Sequence, residues 1–561
     1  MGDNFQTPSP SPSPAPAPTS STSSSQNREP QQQPTPQNAT LLQAFEWYVP
    51  ADQSHFLRLS SHLPQLSHHG ISALWLPPQC KATSPSSNGY DIYDLFDIGE
   101  FNQKGSIATK WGTKEQLLGL SRVAEENEVG LYWDAVLNHR FGADHREKCK
   151  AVEVDSENRM VRKSGEYEID AWVGFSFPAR GDAYSKQKYH WYHFSGVDFD
   201  ANNPSKAGTI YQILGEQSQG WAKSPEEVDG EKGNYDYLMG CDVDYSHGEV
   251  VEDVLNWGRW LRREMGEGLR GVRFDAVKHF SEGFLRRFVK MLDEEFGEGW
   301  FLVGEFWKDS LGSMTDYLDR MDHKFSLFDA PLVYNFGEIS TSVEADLRRV
   351  FDDTLVQKAP VCAVTLVQNH DTQPLQSLSV PITPWFLPLA YSLILLRSSG
   401  YPCVFYGDLY GLCTPTPSQP NPTSPTSPPL TILPRLLLAR KYFAYGPQDD
   451  YFDYRTCIGW TRHGTWDRPT GRCAVVMSNA GEGWKRMYVG TECAGQKWED
   501  VLGWRGEKVV IGEDGWGTFW CGGCSVGVWV WEGAEGMGEV REEGGFDFNI
   551  YSAGTGMKDG E

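Results

Sequence analysis

The chain has no uninterrupted apolar run of the roughly eighteen residues that a membrane span needs, and its opening MGDNFQTPSPSPSPAPAPTS lacks the apolar stretch of a secretory signal. A membrane partner is not expected. Basic residues are in deficit as well: 50 Lys and Arg stand against 75 Asp and Glu, a net charge of −25, and no basic stripe occurs that could neutralise a phosphate backbone. This excludes nucleic acid and leaves neutral polymers and divalent cations as partners. The 11 cysteines are odd in number and scattered, which suits free thiols in a reducing compartment better than a disulfide framework. Modification signals are poor. Myristoylation of Gly2 calls for Ser or Thr at position 6, where Gln6 stands, and the sequon Asn38-Ala39-Thr40 is idle without secretion. The expectation is a cytoplasmic monomer.

What is present is aromatic. Residues of the hydrophobic set make up 39% of the 561, and 21 are Trp, enough for a core with a surplus that could stack on the flat apolar faces of sugars. Residues 1–39 are Pro, Ser, Thr and Gln with almost nothing to bury, so a disordered tail is expected there. From Leu41 onward apolar runs alternate with helical patterns. Strands are expected at 41–47, 71–77, 129–139, 271–274, 300–306, 324–329, 361–371 and 401–407, with helices near 53–68, 113–126, 248–265 and 281–295. A doubly wound open sheet would alternate similarly, but eight strands favour closure. The fold class is therefore α/β, a (β/α)8 TIM barrel over 40–137 and 248–440. The interval 138–247 is too long for a connection and reads as a small β-rich domain inserted after the third strand. Short strands with Gly-rich turns over 441–533 indicate a C-terminal antiparallel β-sandwich. Residues 534–561 are expected to be loose, and Thr414 to Pro429 an extended, mobile loop.

One stretch breaks the pattern. Arg270 to His279, RGVRFDAVKH, reads as a buried strand carrying an arginine, which costs several kcal/mol to bury unless carboxylates surround it. Asp275, two residues on and on the same face, is one candidate partner. Other strand ends carry chemistry too: Asp134, Asn138 and His139 in VGLYWDAVLNH, Glu305 and Trp307 in WFLVGEFW, and Asn369, His370 and Asp371 in VTLVQNHD. In a βα barrel these ends converge on one face. Three carboxylates, Asp275, Glu305 and Asp371, thus arrive together. Crowding raises the pKa of at least one, which a general acid requires, and a retaining glycosidase needs a nucleophilic carboxylate beside an acid/base carboxyl.

In this order DAVLNH, GVRFDAVKH, GEFW and VQNHD resemble the four characteristic regions of the α-amylase family of glycoside hydrolases (family 13). LLQAFEWYVP, YDIYDLFDIGEFNQKG, GNYDYLM, VFYGDLYG and RMYVG extend the resemblance over nearly all of 40–533, toward the liquefying bacterial-type α-amylases. The resemblance implies Asp275 as nucleophile, Glu305 as general acid/base and Asp371 as the acid that grips sugar hydroxyls and stabilises the transition state. Arg273 would hold Asp275 ionised, with Asp134 as its second partner, and His139, His370, Lys278, Tyr90 and Trp307 match sugar-binding positions. The implied activity is endo-hydrolysis of α-1,4-glucosidic bonds in starch, glycogen or maltooligosaccharides. A transglycosylase acting on the same bond, or a non-catalytic glucan-binding protein, are the alternatives.

The resemblance also implies calcium, held by Asn138, Asp236, Asp242 and the backbone carbonyl of His279, an all-oxygen set suited to Ca2+. Related bacterial enzymes carry a calcium-sodium-calcium cluster, but Ser195 and Ser246 stand where carboxylates are expected and GWAKSPEE offers no clear third. One structural calcium is expected, with Asp198 and Asp244 left as structural acids. Two decoys are set aside. Gly266 to Gly271 fits a dinucleotide-binding pattern but precedes its strand, and Cys521-Gly522-Gly523-Cys524 reads as a hairpin turn.

Overall fold

The computed structural model describes residues 38–552, apart from 216, 217, 219, 298, 344, 543 and 544. The tail expected over 1–39 therefore lies, except for its last two residues, outside the described residues. Asn38 itself is anchored, its amide donating to the carbonyls of Arg440 and Ala444 at 3.0 Å each.

Eight parallel strands close a barrel in sequence order: β1 Leu41–Gln43, β2 Ala73–Trp75, β3 Gly130–Ala135, β4 Leu269–Phe274, β5 Phe301–Gly304, β6 Ser326–Phe328, β7 Ala363–Leu366 and β8 Tyr401–Phe405. Each strand is followed by a helix that packs outside it, beginning with His55–His68 after β1 and ending with Leu433–Phe443 after β8. Local chemistry sets the helix starts. Thr113 and Gln116 form a reciprocal capping box ahead of Lys114–Glu126, and the Ser281 hydroxyl accepts from the amide of Phe284 at the start of Glu282–Phe296. The strands are shorter than their apolar runs, because each run continues into the loop that carries the polar residues of the barrel mouth.

Within β4, Gly271 is required by close approach: a Cβ there would lie 2.5 Å from the Tyr132 ring and 2.7 Å from the Phe301 carbonyl. This lets β4 seat between β3 and β5, with Arg273 opposite Asp134 on one side and Val303 on the other.

Between β3 and its helix Gly248–Met265 the chain forms a separate six-stranded sheet, whose His139–Arg140, Cys241–Val243 and Phe194–Val197 strands lie side by side. Beyond the barrel, a six-stranded antiparallel sheet faces the two-stranded sheet Gly483–Tyr488/Trp516–Cys521, with Met487, Trp498, Phe519 and Trp529 buried between. Gly523 and Cys524 form the turn from Trp516–Cys521 to Ser525–Trp531, Cys524 at φ +45°. Cys524 points to the backbone carbonyls of Asn479 and Ala480, away from a paired-thiol arrangement.

Two expectations are corrected. The segment after 533 is not loose as far as it is described: it forms the helix Met537–Arg541, buries Met537, Val540 and Ile550, and packs Phe546 edge-on to His69 and beside Tyr410. Its apolar residues are too sparse to show a period, so composition concealed the docking. The 414–429 segment is also not extended. The Thr426 amide bonds back to the Leu412 carbonyl at 2.8 Å and its hydroxyl to that of Thr414 at 2.9 Å, closing the loop on its own base.

Candidate active site

The mouth of the barrel is organised by one guanidinium. Arg273, 1% exposed, donates through Nη1 to Asp134 Oδ1 and Asp275 Oδ1 at 2.7 Å each, and through Nη2 to Glu305 Oε2 at 2.6 Å. The rings of Trp75 and Tyr90 lie within 5.0 and 5.7 Å of it, so its faces are covered as well as its edges. Asp134 in turn accepts from Trp75 Nε1 and the Tyr90 hydroxyl, both at 2.9 Å. The sequence supplied Asp134 and Asp275 as partners of this arginine; the third, Glu305, was not foreseen in that role.

The turn after β4 completes the arrangement. Asp275 is held by its amide on the Ala135 carbonyl, and Ala276 adopts φ +50°, which non-glycine residues enter at a cost of about 1–2 kcal/mol. That turn aims the Ala276 amide at Glu305 Oε2, 3.1 Å away. Asp275 and Glu305 also hydrogen-bond each other, so the two carboxyl groups share a proton as well as a guanidinium.

Charge decides where that proton sits. Asp134, Asp275, Glu305 and Asp371 converge on a single cation, so the four cannot all ionise. Burial pushes Glu305 up to about 7; Arg273 opposes this, and the negative charge of Asp275 reinforces it. Burial also raises Asp275, but Arg273 and the bond from Glu305 work against it. Asp371 is raised well above the carboxylate range by burial and by Glu305. Burial raises both groups, but their mutual hydrogen bond lowers Asp275 and raises Glu305, so the surroundings favour Glu305 as the carrier of the proton.

The other predicted residues gather around this core in a cleft of about 1090 Å³, lined by Tyr90, His139, Lys278, Trp307, His370 and the three acids, with the inserted domain contributing Glu231, Tyr235 and Met239. His370 and His139 are held neutral, chiefly by burial. Gln43 Nε2 donates to His370 Nδ1 at 3.0 Å, which leaves its Nε2 proton facing Asp371 Oδ2 at 3.3 Å. His139 Nε2 donates to the Tyr90 carbonyl at 2.8 Å. Lys278 reaches the Trp307 carbonyl at 3.1 Å and Glu231 at 3.2 Å, tying the barrel to the inserted domain. Trp307 borders the cleft but is only 9% exposed, its indole donating to the Tyr334 hydroxyl.

Asn138, Asp236 and Asp242 form a second buried cluster. Asp242 accepts from Asn138 Nδ2 at 3.3 Å and from the Ser195 hydroxyl, and Asp236 accepts from the Ala222 amide at 2.9 Å. Burial pushes Asp236 up to about 7 and Asp242 well above its ordinary value, each raised further by carboxylate neighbours. Among the described residues neither is in an ion pair with Lys or Arg, and Asn138 Oδ1 has no hydrogen-bond partner. Two adjacent carboxylates and an unused amide oxygen fit a hard cation. Asp244, expected as a weak or structural acid, adds its charge beside Asp236 and Asp242, with its Oδ2 3.6 Å from His247 Nε2, whereas Asp198 accepts from the Gly240 amide. His279 lies alongside, its Nδ1 bonded to the Tyr235 carbonyl at 2.8 Å.

Residues 58–427 match the family model described as alpha amylase, catalytic domain, and residues 474–530 match the alpha-amylase C-terminal model. The chain belongs to the α-amylase family. Among its relatives in this family, an alpha-amylase of Bacillus licheniformis is 44% identical over 88% of this chain and 93% of its own length. The cytoplasmic alpha-amylase of Escherichia coli (strain K12) is 41% identical over 88% of this chain and 99% of its own. The crystal structure of an Anoxybacillus alpha-amylase, at 17% identity, shares the fold with a TM-score of 0.57 over 88% of this chain and 98% of its own.

Several contacts of this family member escaped sequence reasoning. Trp47 stacks parallel to Tyr90 and to His370, with ring centres 6.0 Å from each, extending an aromatic wall into the cleft. Its place at the end of the first strand run was the available signal. Met239 and Leu378, 41% and 45% exposed, offer apolar contacts in the same cleft, and no motif marked them.

Proposed function

We propose that this glycoside hydrolase is an α-amylase that cleaves internal α-1,4-glucosidic bonds of starch, glycogen or maltooligosaccharides with retention of configuration. The observation that carries the reading is the shared guanidinium: Arg273 contacts Asp275 and Glu305 together, while burial and the charge of Asp275 keep a proton on Glu305 to about pH 7. Asp275, ionised, attacks the anomeric carbon. Glu305 protonates the departing glycosidic oxygen, so the carbon–oxygen bond breaks as the Asp275 ester forms. Glu305, now ionised, takes a proton from water, which attacks the same carbon and releases Asp275. Two carboxyl groups gathered on one guanidinium suit the close pairing of a double displacement better than the wider spacing of an inverting pair. Asp371 hydrogen-bonds sugar hydroxyls, and the stack of Trp47, Tyr90 and His370 forms an apolar wall. A long cleft with walls from two domains favours internal cuts.

Product analysis tests the reading. Hydrolysis of a maltooligosaccharide should release shorter chains whose new reducing ends are α-anomers. Chains longer than the substrate would establish transfer in place of hydrolysis, and β-anomers would exclude the double displacement.

The fold family implies calcium, and the second cluster fits it. Asn138, Asp236, Asp242 and the carbonyl of His279 would hold the ion, and Asp244 stands beside them. When bound, calcium supplies the positive charge these buried oxygens lack and pins the inserted domain to β3 and β4. Chelation is expected to lower the thermal midpoint, and added Ca2+ to raise it with the logarithm of free ion, by about 2.7 kcal/mol at a hundredfold excess over Kd. An unchanged midpoint after exhaustive chelation would count against the site. A cytoplasmic setting is supported by the E. coli relative's name and by 11 cysteines that are all unpaired.

A further inference from the structure

Trp47, which extends the aromatic wall of the cleft, lies four residues beyond the end of β1, where no strand ladder fixes the backbone. Its two backbone polar groups are held by side chains instead. The Trp47 amide donates to Gln373 Oε1 at 2.9 Å, and the Trp47 carbonyl accepts from Lys110 Nζ at 3.2 Å. Lys110 also donates to the side-chain oxygen of Asn88, two residues before Tyr90. One ammonium therefore joins the segments that carry Trp47 and Tyr90, whose rings stack within 4° of parallel.

Glu46 completes the arrangement. Its Oε2 accepts from the Tyr48 amide at 2.7 Å and from Gln373 Nε2 at 3.0 Å, and its Oε1 accepts from the Cys413 amide at 3.1 Å. The connections that follow β1, β7 and β8 thus meet on one carboxylate. Glu46 and Gln373 are fully buried and Lys110 is 5% exposed. None of the three lines the cleft, whereas Trp47, Asn88 and Tyr90 do. Burial lowers Lys110 to about 8, opposed first by Glu46, and burial raises Glu46, opposed by Gln373, the two backbone amides and Lys110. Taking an ammonium and a carboxylate out of water is costly. Here both direct their hydrogen bonds at the loops that shape the cleft.

We propose that Lys110, Glu46 and Gln373 are positioning residues that clamp the backbone of Trp47 and so set the grip of the aromatic wall on a sugar ring. The inference rests on the reading of the cleft as an α-glucan site. A ring whose plane is fixed before binding loses less freedom when a sugar stacks on it, so loosening the clamp weakens binding. The clamp makes no contact with Asp275, Glu305 or Arg273, whose own bonds to one another hold the reacting groups. Its loss should therefore appear in KM and hardly in kcat.

The test is a double-mutant cycle on maltoheptaose with full-length wild type, Lys110→Met, Trp47→Ala and the double variant. Methionine keeps the apolar stem of the lysine and removes both donations. Lys110→Met is expected to raise KM about fivefold or more with kcat within about threefold of wild type. In the Trp47→Ala background the same substitution should change KM by less than about twofold, because a residue that acts only through Trp47 has nothing left to position. A KM within twofold of wild type for Lys110→Met overturns the proposal. A full rise in KM in the Trp47→Ala background also overturns it, since Lys110 would then act elsewhere, and so does a loss carried by kcat alone. If Lys110→Met does not fold, Gln373→Met, which frees the Trp47 amide, carries the same expectation in the same cycle, and an unchanged KM or an additive effect there overturns the proposal. Wild-type protein inactive on maltoheptaose would instead remove the underlying reading of the cleft.

Discussion

Asp275→Asn is expected to lower kcat on maltooligosaccharides by about four to six orders of magnitude, as removal of a covalent nucleophile does elsewhere. The reason is specific to this geometry. An Asn amide oxygen can still accept from Arg273, so the fold and the positions of Asp134 and Glu305 should survive, but the amide cannot attack the anomeric carbon. The charge of Asp275 also helps to hold the proton on Glu305. Removing that charge lowers the Glu305 pKa, a shift that carboxyl infrared bands can follow in the otherwise inactive variant. Glu305→Gln separates the two roles. With an aryl glycoside, whose leaving group needs no proton, the first step should proceed in Glu305→Gln and remain blocked in Asp275→Asn. Retention of a tenth or more of wild-type activity by Asp275→Asn would end the assignment. In the wild type, turnover should fall as pH rises through about 7, where Glu305 loses its proton. Stability follows the same sign: a folded pKa raised above the unfolded value contributes stability that is full below about pH 4.3 and is lost as pH rises through about 7.

Arg273→Met should be the most destabilising single change in the barrel. Asp134, Asp275 and Glu305 would be left around an apolar side chain, and breaking a buried ionic network by removing one partner costs about 3–5 kcal/mol. The loss depends on pH in a way that simple cavity formation does not. At pH 8 the stranded carboxyl groups must ionise in a dry site or remain protonated at a cost, whereas near pH 4 their protonation relieves the mutual repulsion. Chemical denaturation at the two pH values should show a gap between wild type and variant that narrows on acidification. Equal stability at pH 8 would disprove the role given to the arginine. Arg273→Lys keeps the charge, but a single ammonium lacks the planar fork that reaches three carboxylates at once, so stability should recover in part and activity should not.

Much of this architecture was legible before any coordinates. The eight apolar runs, the long interval after the third, and the change to short Gly-punctuated strands after the barrel are local patterns, because burial on both faces of a parallel strand demands a continuous apolar run. The ordered motifs DAVLNH, GVRFDAVKH, GEFW and VQNHD brought Asp275, Glu305, Asp371 and their neighbours to attention, and the closed barrel brings them to one mouth. The docked segment after 533 was illegible because a few apolar residues such as Phe546 and Ile550 carry no period, and their burial depends on surfaces formed by distant parts of the chain.

The sequence by itself determined that a charged arginine would be buried in the fourth strand and would need carboxylates around it, since no other solution to its desolvation exists. Only the tertiary structure decided which carboxylates those are and which of them keeps a proton. Strand register sets Arg273 opposite Asp134, the turn at Ala276 brings Glu305 onto the same guanidinium, and the depth of burial then raises Glu305 to about 7. Each of these depends on contacts between segments far apart in the chain, and a pKa follows the surroundings of a group, which its neighbours in sequence do not specify.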